Sequence, residues 1–390
     1  MEHHEIIIAG AGAAGLMCAY LLGRQGHDVL LLEKNASAGR KLLATGNGRC
    51  NFTNRHMSPE CYYGDRKFIE EILGRFQTED AIGLFEQLGI YHRERDGYCY
   101  PYSGQASTVV ELLEKSCREA GVRFLFDTRV SRIVHKKEKN GKENYEVACK
   151  NNICFSCGRL ILATGGKACA ELGGDGSGYK LSRSLSHHVT EIFPGLTGLK
   201  ASGKEWKQLS GVRMQGKVSL YVEGDFIKSE VGEIQIVKDG ISGIPVFQLC
   251  RLAAGALSAG KEVRCVIDFL PEWEEELVEK WLFIQGEEKL QGLVNQKWVP
   301  VIRKRAKELE EISRLLKNYE VVITDTFGLE RAQVTAGGVP AEEIDPGTMQ
   351  SKLHKNLFLL GELIDVDGIC GGYNLHFAWG TAYLCAEAIG

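Results

Sequence analysis

The stretch that decides the fold is Ile6-Ile7-Ile8-Ala9-Gly10-Ala11-Gly12-Ala13-Ala14-Gly15. Its first four residues are apolar and mostly β-branched, which predicts a strand buried on both faces. A glycine turn follows, then a helix over 16–23 that Gly26 ends, then a second strand over 29–32 with Glu33 at its end. Strand, G-x-G-x-x-G turn, helix, strand and acid in this order are typical of a dinucleotide-binding βαβ unit.

Each part of this unit has a physical role. Gly10 permits the tight turn, Gly12 lets a pyrophosphate approach the backbone, and Gly15 lets helix and strand pack closely. The helix N-terminus offers N–H groups and the positive end of the helix dipole to phosphates. Glu33 stands close to the spacing expected of the acid that accepts hydrogen bonds from ribose hydroxyls. These features do not decide between NAD and FAD.

Residues 38–54 favour FAD. The segment is rich in glycine, asparagine and threonine and carries Arg40, Lys41 and Arg49, so we expect an extended loop that lays its backbone against a ligand. Arg40 and Lys41 can neutralise pyrophosphate charge, and Asn47, Arg49 and Asn51 can reach a flavin edge or a substrate. The alternative is a solvated surface loop.

The C-terminal residues repeat the pattern of the N-terminus. A buried strand over 357–360 ends in Gly361-Glu362, and Gly371-Gly372-Tyr373-Asn374 precedes a terminal helix over 375–389. We expect Glu362 to bind ribityl hydroxyls, and the helix N-terminus near Asn374 to face the flavin N1/O2 edge, where negative charge develops on reduction. The alternative is a glycine-rich crossover without a ligand. The further positions that we assign to FAD are Ala14, Lys34, Thr45, Gly46, Gly48, Val130, Thr164 and Gly165.

The 390 residues suit two or three domains. We assign 1–190 and 333–390 to an α/β, Rossmann-type FAD-binding domain, 191–270 and 319–332 to an inserted β-rich substrate domain, and 271–318 to a small helical subdomain. Two paired helices are predicted over 272–283 and 301–316. By its position in the chain, the insertion is expected to cover the flavin. A hairpin is predicted over 129–149, and its charged tip, residues 136–142, is expected to be solvated.

Composition excludes several classes of protein. The formal net charge of −4 gives no basic footprint for nucleic acid at whole-chain level, and no apolar run is long enough for a membrane span. Thirteen cysteines without a disulfide framework fit a reduced, cytoplasmic protein. We predict no signal peptide and no metal site.

Four elements together resemble the BaiN-like flavoproteins, a family of NAD(P)/FAD-dependent or aminoacetone-oxidase-type oxidoreductases. They are the first glycine turn, residues 39–51, residues 335–346 and residues 361–374. The resemblance implies an FAD domain, an inserted β-barrel-like domain and a small helical piece. It also implies reduction of activated C=C bonds, either in 3-oxo-Δ4/Δ6 bile-acid intermediates or in a uridine of ribosomal RNA. Many relatives have glycine where Asn47 stands, and threonine or a similar residue where Cys370 stands.

We therefore expect NAD(P)H as a transient electron donor, without a binding domain of its own, because no second G-x-G-x-x-G unit follows a strand. The catalytic candidates are Tyr373, Cys370 and Asn47, and Tyr98 and His376 are further candidates for the proton donor. Three functions compete. A small-molecule ene-reductase is favoured by the acidic composition and by the aromatic segment over 97–103. An RNA-modifying reductase would need a basic surface, and the third alternative is a non-catalytic flavin-binding protein. No DNA or membrane partner is expected, and the sequence does not give the oligomeric state.

Overall fold

The computed structural model describes residues 1–137, 143–150 and 152–390. Part of the predicted hairpin tip, residues 138–142, lies outside this range. The chain divides into two compact units. The first comprises Met1–Ile192 and Val334–Gly390, and the second comprises Phe193–Gln333.

A seven-stranded sheet forms the centre of the first unit. The first strand, Glu2–Ala9, pairs in parallel with Val29–Leu32 on one side and with Cys154–Leu162 on the other. The long strand Cys154–Leu162 uses one edge for two partners, an antiparallel one at its start and the parallel Leu357–Leu359 at its end. The strands that complete the sheet are Arg123–Leu125, Glu143–Cys149 and Val130–Lys137.

The parallel strands end at one level. Ala9 lies opposite both Leu32 and Leu162, and Leu162 lies opposite Leu359. Because parallel strands present their carboxyl ends to the same edge, the loops that follow them converge there, which is where ligands bind in open α/β sheets. The first glycine turn, Glu33, the Thr164-Gly165 element and Gly361-Glu362 all follow these strand ends.

Helices cover the faces of this sheet. Residues Ile6, Ile7 and Ile8 are fully buried, as the β-branched run predicts. The terminal helix packs beside the first helix, which brings the two ends of the chain together. The helices of this unit are Ala13–Arg24, Arg40–Ala44, Arg66–Arg75, Thr78–Gln87, Ala106–Glu119, Ser177–Ser184 and Tyr373–Ile389.

Two small sheets stand apart from the main one. Strand Tyr98–Pro101 lies between Thr53–Asn54 and His92–Arg95, antiparallel to both. Strand Tyr62–Tyr63 pairs with Asp367–Gly368, which tethers the loop before the terminal helix. A further short strand is Val334–Ala336, and 3-10 turns span Thr45–Gly48, Pro59–Cys61, Ala170–Leu172, Ala341–Glu343 and Gly361–Leu363.

The second unit contains a closed barrel of six strands, which agrees with the barrel-like insertion implied by the family resemblance. In order around the barrel they are Leu199–Ala201, Gly240–Ser242, Asp225–Val237, Arg213–Val222, Val263–Asp268 and Tyr319–Thr326. A short strand, Phe193–Gly195, opens the unit. One hydrophobic core joins the barrel to its helices. The three-part domain division and the position of this unit over the flavin stay predictions.

The helices of the second unit differ from those predicted. The helix expected over 301–316 is two helices, Val299–Arg305 and Leu309–Lys317, because Ala306 adopts an extended conformation and a capping box of Glu308 and Glu311 starts the second. Helix Leu309–Lys317 provides an ion pair to helix Glu275–Gln285, through Arg314 and Glu275. The other elements are Glu205–Leu209, Ile244–Ser258, Glu275–Gln285 and a 3-10 turn over Glu287–Gly292. Helix Ile244–Ser258 was not predicted from the sequence.

Candidate functional site

The glycine turn has the geometry that a dinucleotide requires. Gly10 has a φ of +106°, and a Cβ at Gly15 would lie 1.9 Å from the carbonyl oxygen of Gly10, so neither position accepts a side chain. A Cβ at Gly12, in contrast, would meet nothing within 4 Å. The space above Gly12 therefore stays open at the N-terminus of helix Ala13–Arg24, where a pyrophosphate would bind.

Glu33 forms hydrogen bonds to the loops that surround the predicted ribose position. It is buried, and its two carboxylate oxygens accept hydrogen bonds from the backbone N–H groups of Ala11 and Asn35, each at 2.8 Å. The side chain of Asn35 donates a further bond at 2.6 Å. Because each carboxylate oxygen has two lone pairs, Glu33 keeps acceptor capacity for a ribose hydroxyl.

An ion-pair network stands beside Glu33. The Nζ of Lys34 lies 2.7 Å from Asp175 Oδ1, and Arg129 lies 2.7 Å from the other oxygen of the same carboxylate. Although burial acts to raise the pKa of Asp175, its bonds with Lys34 and Ser177 hold that pKa well below its usual range. Lys34 also donates to the carbonyl of Gly173. Val130 directly follows Arg129 in the chain and packs against the hydrophobic core of the first unit.

Lys41 and Glu362 join two segments from opposite ends of the chain. The first is the loop over residues 38–54, called the N-terminal loop below, and the second is the loop over residues 361–372 before the terminal helix, called the return loop. Lys41 Nζ lies 2.8 and 2.6 Å from the two oxygens of Glu362. The backbone N–H of Thr335 donates to Glu362 Oε1 at 2.8 Å. Gly165 lies within reach as well, since a Cβ there would be 3.9 Å from Glu362 Oε2. Three segments that are distant in sequence thus meet at one carboxylate.

Thr335 was not predicted from the sequence. Its hydroxyl accepts the N–H groups of Lys167 and Ala168 at 2.8 and 2.9 Å, which fixes the chain after Gly166. The signal was present, because Thr335 begins one of the four family elements. A threonine in a glycine-rich segment gave no reason by itself to assign it that role.

Two further contacts close the site. A Cβ at Gly361 would lie 3.1 Å from the Cβ of Ala14, so the return loop passes directly over the first turn of the first helix. A Cβ at Gly372 would lie 2.9 Å from Asn51 Oδ1, which sets the N-terminus of the terminal helix beside the N-terminal loop. Gly371 adjoins the same loop, because its carbonyl oxygen accepts a bond from Asn54 Nδ2 at 2.9 Å.

The loop over 38–54 is more structured than expected. Arg40–Ala44 forms a short helix, and the following 3-10 turn contains Gly46 and Asn47 in the left-handed region, at φ of +56° and +55°. Thr45 fixes the start of the turn by donating to Leu42 O at 2.6 Å. Asparagine tolerates the left-handed region better than most residues do, so Asn47 fits this position. The expectation of a wholly extended loop was wrong.

Exposure separates the residues of this loop. Gly46, Asn47, Gly48 and Arg49 are exposed, whereas Asn51 is buried. Arg40 is also exposed and donates to Asn35 Oδ1 at 3.2 Å. Its side chain therefore stands near Glu33, which bonds the same Asn35.

The residues present fit FAD. Two buried atoms here, Asn51 Oδ1 and Thr164 Oγ1, have no hydrogen-bond partner within the described part of the chain. An unsatisfied buried polar atom is costly, so such an atom at a binding site indicates that a ligand supplies the partner. Together with the open space over Gly12, these atoms are placed to receive a polar, phosphate-bearing group.

Three of the candidate side chains already have partners. The hydroxyl of Tyr373 donates to His56 O at 3.3 Å, and the amide of Asn374 bonds both the N–H and the carbonyl of Gly368. His376 is fully buried between Thr53 and Phe76 O, and burial lowers its pKa to about 4. His376 is therefore a neutral core residue, and Asn374 contributes to the site through its backbone.

Cys370 lies before the terminal helix, close to Tyr98. Burial raises the pKa of its thiol to about 12, so the thiol stays protonated at neutral pH. Burial also raises the pKa of Tyr98, and the adjacent Cys370 adds to this effect. Tyr98 thus lies against the loop that precedes the terminal helix.

The fold and the site define a flavoprotein of the Rossmann type, and comparison with known proteins identifies its family. Residues 4–388 match the model described as the HI0933-like protein Rossmann domain, so the chain belongs to this family. A 3-dehydro-bile acid delta(4,6)-reductase of Clostridium scindens is 39% identical, with 99% of this chain and 98% of that protein covered. A ribosomal RNA dihydrouridine synthase of Haemophilus influenzae is 30% identical, with 100% and 99% covered.

A solved structure supports the same fold. The 3-ketosteroid-delta4-(5alpha)-dehydrogenase of Rhodococcus jostii aligns with a TM-score of 0.55 at 14% identity, over 99% of this chain and 96% of that one. The prediction of an α/β, Rossmann-type FAD-binding fold is confirmed, as is the resemblance to the BaiN-like flavoproteins. The chain is an FAD-dependent oxidoreductase, and the non-catalytic alternative is set aside.

Proposed function

We propose that this enzyme reduces the activated C=C bond of a 3-oxo-Δ4 or 3-oxo-Δ4,6 steroid of the bile-acid type. The observation that carries the proposal is the relationship, over nearly the full length of both chains, to the reductase of Clostridium scindens. FAD supplies the hydride-transfer chemistry of such a reduction. The chain itself must hold the cofactor, bind a flat apolar substrate and provide a proton.

The described residues support the first of these tasks. The open space at Gly12 and the N-terminus of helix Ala13–Arg24 would hold the pyrophosphate, and Glu33 would accept the ribose hydroxyls. Lys41, Glu362 and Thr164 would hold the ribityl and flavin end. The N-terminus of helix Tyr373–Ile389 offers backbone N–H groups that stabilise negative charge at the flavin edge.

The aromatic strand supports the second task. Tyr98 and Tyr100 are partly buried and lie on one face of strand Tyr98–Pro101. Burial raises the pKa of both phenols, so both are neutral at pH 7. Neutral aromatic rings suit the flat apolar skeleton of a steroid.

NAD(P)H is the proposed electron donor, visiting the site without a domain of its own. We also propose a cytoplasmic location, since no disulfide links any of the thirteen cysteines, all of which are described. Among the described residues, no helix is both long and apolar enough to cross a membrane.

The alternative substrate is a uridine of ribosomal RNA. It is favoured by relatives in Haemophilus influenzae and Escherichia coli that carry the name ribosomal RNA dihydrouridine synthase. The net charge of −4 offers little attraction to an RNA backbone. The alternative therefore needs a local basic surface.

Turnover measurements separate the two substrates. The purified enzyme is incubated without oxygen with NADH or NADPH and a 3-oxo-Δ4 bile acid, and the steroid is analysed by mass spectrometry. The proposal predicts a product two mass units heavier, whose formation depends on FAD. If the steroid is unchanged and ribosomal RNA from a strain lacking the gene has lost a dihydrouridine, the RNA alternative is correct.

A further inference from the structure

The strand Tyr98–Pro101 alternates its side chains between two environments. Cys99 and Pro101 are buried on one face, whereas Tyr98 and Tyr100 are only partly buried on the other. The two phenols therefore point to the same side of the three-stranded sheet. In this sheet strand Tyr98–Pro101 pairs with Thr53–Asn54, which is the last part of the N-terminal loop.

The two tyrosines contact different FAD loops. A Cβ at Gly371 would lie 3.1 Å from Tyr98 Cε1, so Tyr98 packs against the turn that opens the terminal helix. A Cβ at Gly46 would lie 3.7 Å from Tyr100 Cε1, so Tyr100 packs against the N-terminal loop. The strand thus spans the space between the two glycine loops that hold the flavin.

The hydroxyls of Tyr98 and Tyr100 make no hydrogen bond to another described residue. Several other buried or partly buried tyrosines in the described ranges have hydroxyl partners, namely Tyr62, Tyr145, Tyr179, Tyr319 and Tyr373. A partly buried phenol that lacks an internal partner is available to a ligand.

The other candidates for the proton donor are already used or inert. Tyr373 donates to His56 O, and His376 is buried with both ring nitrogens occupied. The thiol of Cys370 has a pKa raised to about 12 by burial and lacks the reach of a phenol. Tyr98 is the remaining acid that adjoins the return loop.

We propose that Tyr98 is the acid that protonates the α-carbon of the enone. This inference rests on the proposed function and names the residue that completes it. The reduced cofactor would supply the hydride for the new C–H bond at the β-carbon, and the electron pair of the C=C bond would move toward the α-carbon and the carbonyl. The O–H bond of Tyr98 then breaks as its proton forms the second C–H bond, and water returns a proton to the phenolate. NAD(P)H provides the two electrons.

Rapid mixing separates the two half-reactions. Oxidised enzyme is mixed with NADPH or NADH to measure flavin reduction, and reduced enzyme is mixed without oxygen with a 3-oxo-Δ4 bile acid to measure its reoxidation. The variants are Tyr98→Phe, Tyr100→Phe and the control Tyr91→Phe, whose ring is exposed and lies outside the aromatic segment over 97–103. Each exchange removes one hydroxyl and keeps the ring.

Tyr98→Phe is expected to keep the visible flavin spectrum and the rate of reduction by NAD(P)H. Its reoxidation by the steroid should slow by about 10²–10⁴-fold, the usual loss for a general acid. The solvent isotope effect on this step should differ between Tyr98→Phe and the wild type. Tyr91→Phe should match the wild type, and Tyr100→Phe should lose less than tenfold.

Two results would overturn the assignment in distinguishable ways. If the steroid reoxidises the wild type, and the rate for Tyr98→Phe is within threefold of the wild-type rate, the role of Tyr98 is rejected but the proposed function is not. A larger loss of rate in Tyr100→Phe than in Tyr98→Phe would have the same consequence. A wild type whose reduced flavin the steroid cannot reoxidise would reject the proposed function, and the role of Tyr98 with it.

Discussion

Lys41 and Glu362, 321 residues apart in the sequence, form an ion pair with a distance of 2.6 Å between Lys41 Nζ and Glu362 Oε2. The pair joins the segment after strand Val29–Leu32 to the turn after strand Leu357–Leu359. Both side chains are mostly shielded, at 27% and 20% exposure. The FAD site is therefore a product of both chain ends, and each end needs the other to be in place.

Removal of the cation should weaken cofactor binding. Lys41→Met leaves Glu362 without its partner and removes a positive charge from the predicted phosphate and ribityl region. Hydrogen bonds to charged groups contribute about 1.5–3 kcal/mol, so we expect FAD to bind roughly tenfold to a hundredfold more weakly. Flavin fluorescence during titration of apoprotein gives the dissociation constant. The control is Lys115→Met, an exposed lysine paired loosely with Glu119 at 3.8 Å, and equal affinity in both variants would contradict this role of Lys41.

Alanine substitutions at two glycines of the first turn should have different effects, one on FAD binding and the other on folding. Gly12→Ala adds a methyl group to open space at a φ of −83°, so the free energy of unfolding of the apoprotein should change by less than about 1 kcal/mol. The same methyl group occupies the path of the pyrophosphate, so FAD affinity should fall at least about tenfold. Gly15→Ala should instead prevent normal folding, because its Cβ would overlap Gly10 O. Urea unfolding of both apoproteins tests this, and a Gly12→Ala variant with full FAD affinity would argue against a pyrophosphate here.

Two threonines in the site should respond oppositely to the same exchange. Thr164→Val removes a buried hydroxyl without a described partner, so the apoprotein should be as stable as the wild type or more so, while FAD binds more weakly. Thr335→Val leaves the N–H groups of Lys167 and Ala168 unpaired, which should lower the free energy of unfolding by about 2 kcal/mol or more. Denaturant unfolding with and without FAD measures both effects. A loss of apoprotein stability in Thr164→Val equal to that in Thr335→Val would show that Thr164 has a structural partner.

The buried His376 should make stability depend on pH. Burial lowers the pKa of His376 in the folded state to about 4, below the usual histidine value of 6.5, so the unfolded chain binds a proton more readily between these values. Stability is then fully present above pH 6.5 and falls as the pH drops toward 4, by about 2 kcal/mol at pH 5 relative to pH 7.5. His376→Gln should be less stable overall but lose less between these two pH values. If His376→Gln loses as much free energy of unfolding between pH 7.5 and pH 5 as the wild type does, other groups cause the pH dependence.

The local pattern of the sequence predicted the elements that position the cofactor. The run of isoleucines before Gly10 and the strand over 29–32 gave the first βαβ unit, because a buried parallel strand has a continuous apolar sequence. The family resemblance added the barrel in the second unit. The division of the helix predicted over 301–316 was missed, because nothing in its periodicity shows that Ala306 is extended and that Glu311 caps a new helix.

The partners of individual side chains could not be predicted. Asn374 was expected to reach the cofactor but bonds Gly368, and Tyr373 was expected to be catalytic but donates to His56 O. The bond of Tyr373 depends on how two distant loops meet, and that of Asn374 depends on the conformation of the loop before the terminal helix, and sequence spacing reveals neither. Tyr98 illustrates the converse, since only the structure shows that its hydroxyl has no described partner and that its ring lies beside Gly371.

A single-turnover experiment tests the central claim most directly. Enzyme reduced with one equivalent of dithionite in deuterated water is mixed without oxygen with half an equivalent of a 3-oxo-Δ4 bile acid, and the flavin spectrum and the steroid mass are followed together. The account predicts that half of the flavin returns to the oxidised spectrum as the steroid gains two deuterium atoms, with one product molecule per flavin oxidised. A flavin that stays reduced while the steroid is recovered unchanged would contradict it.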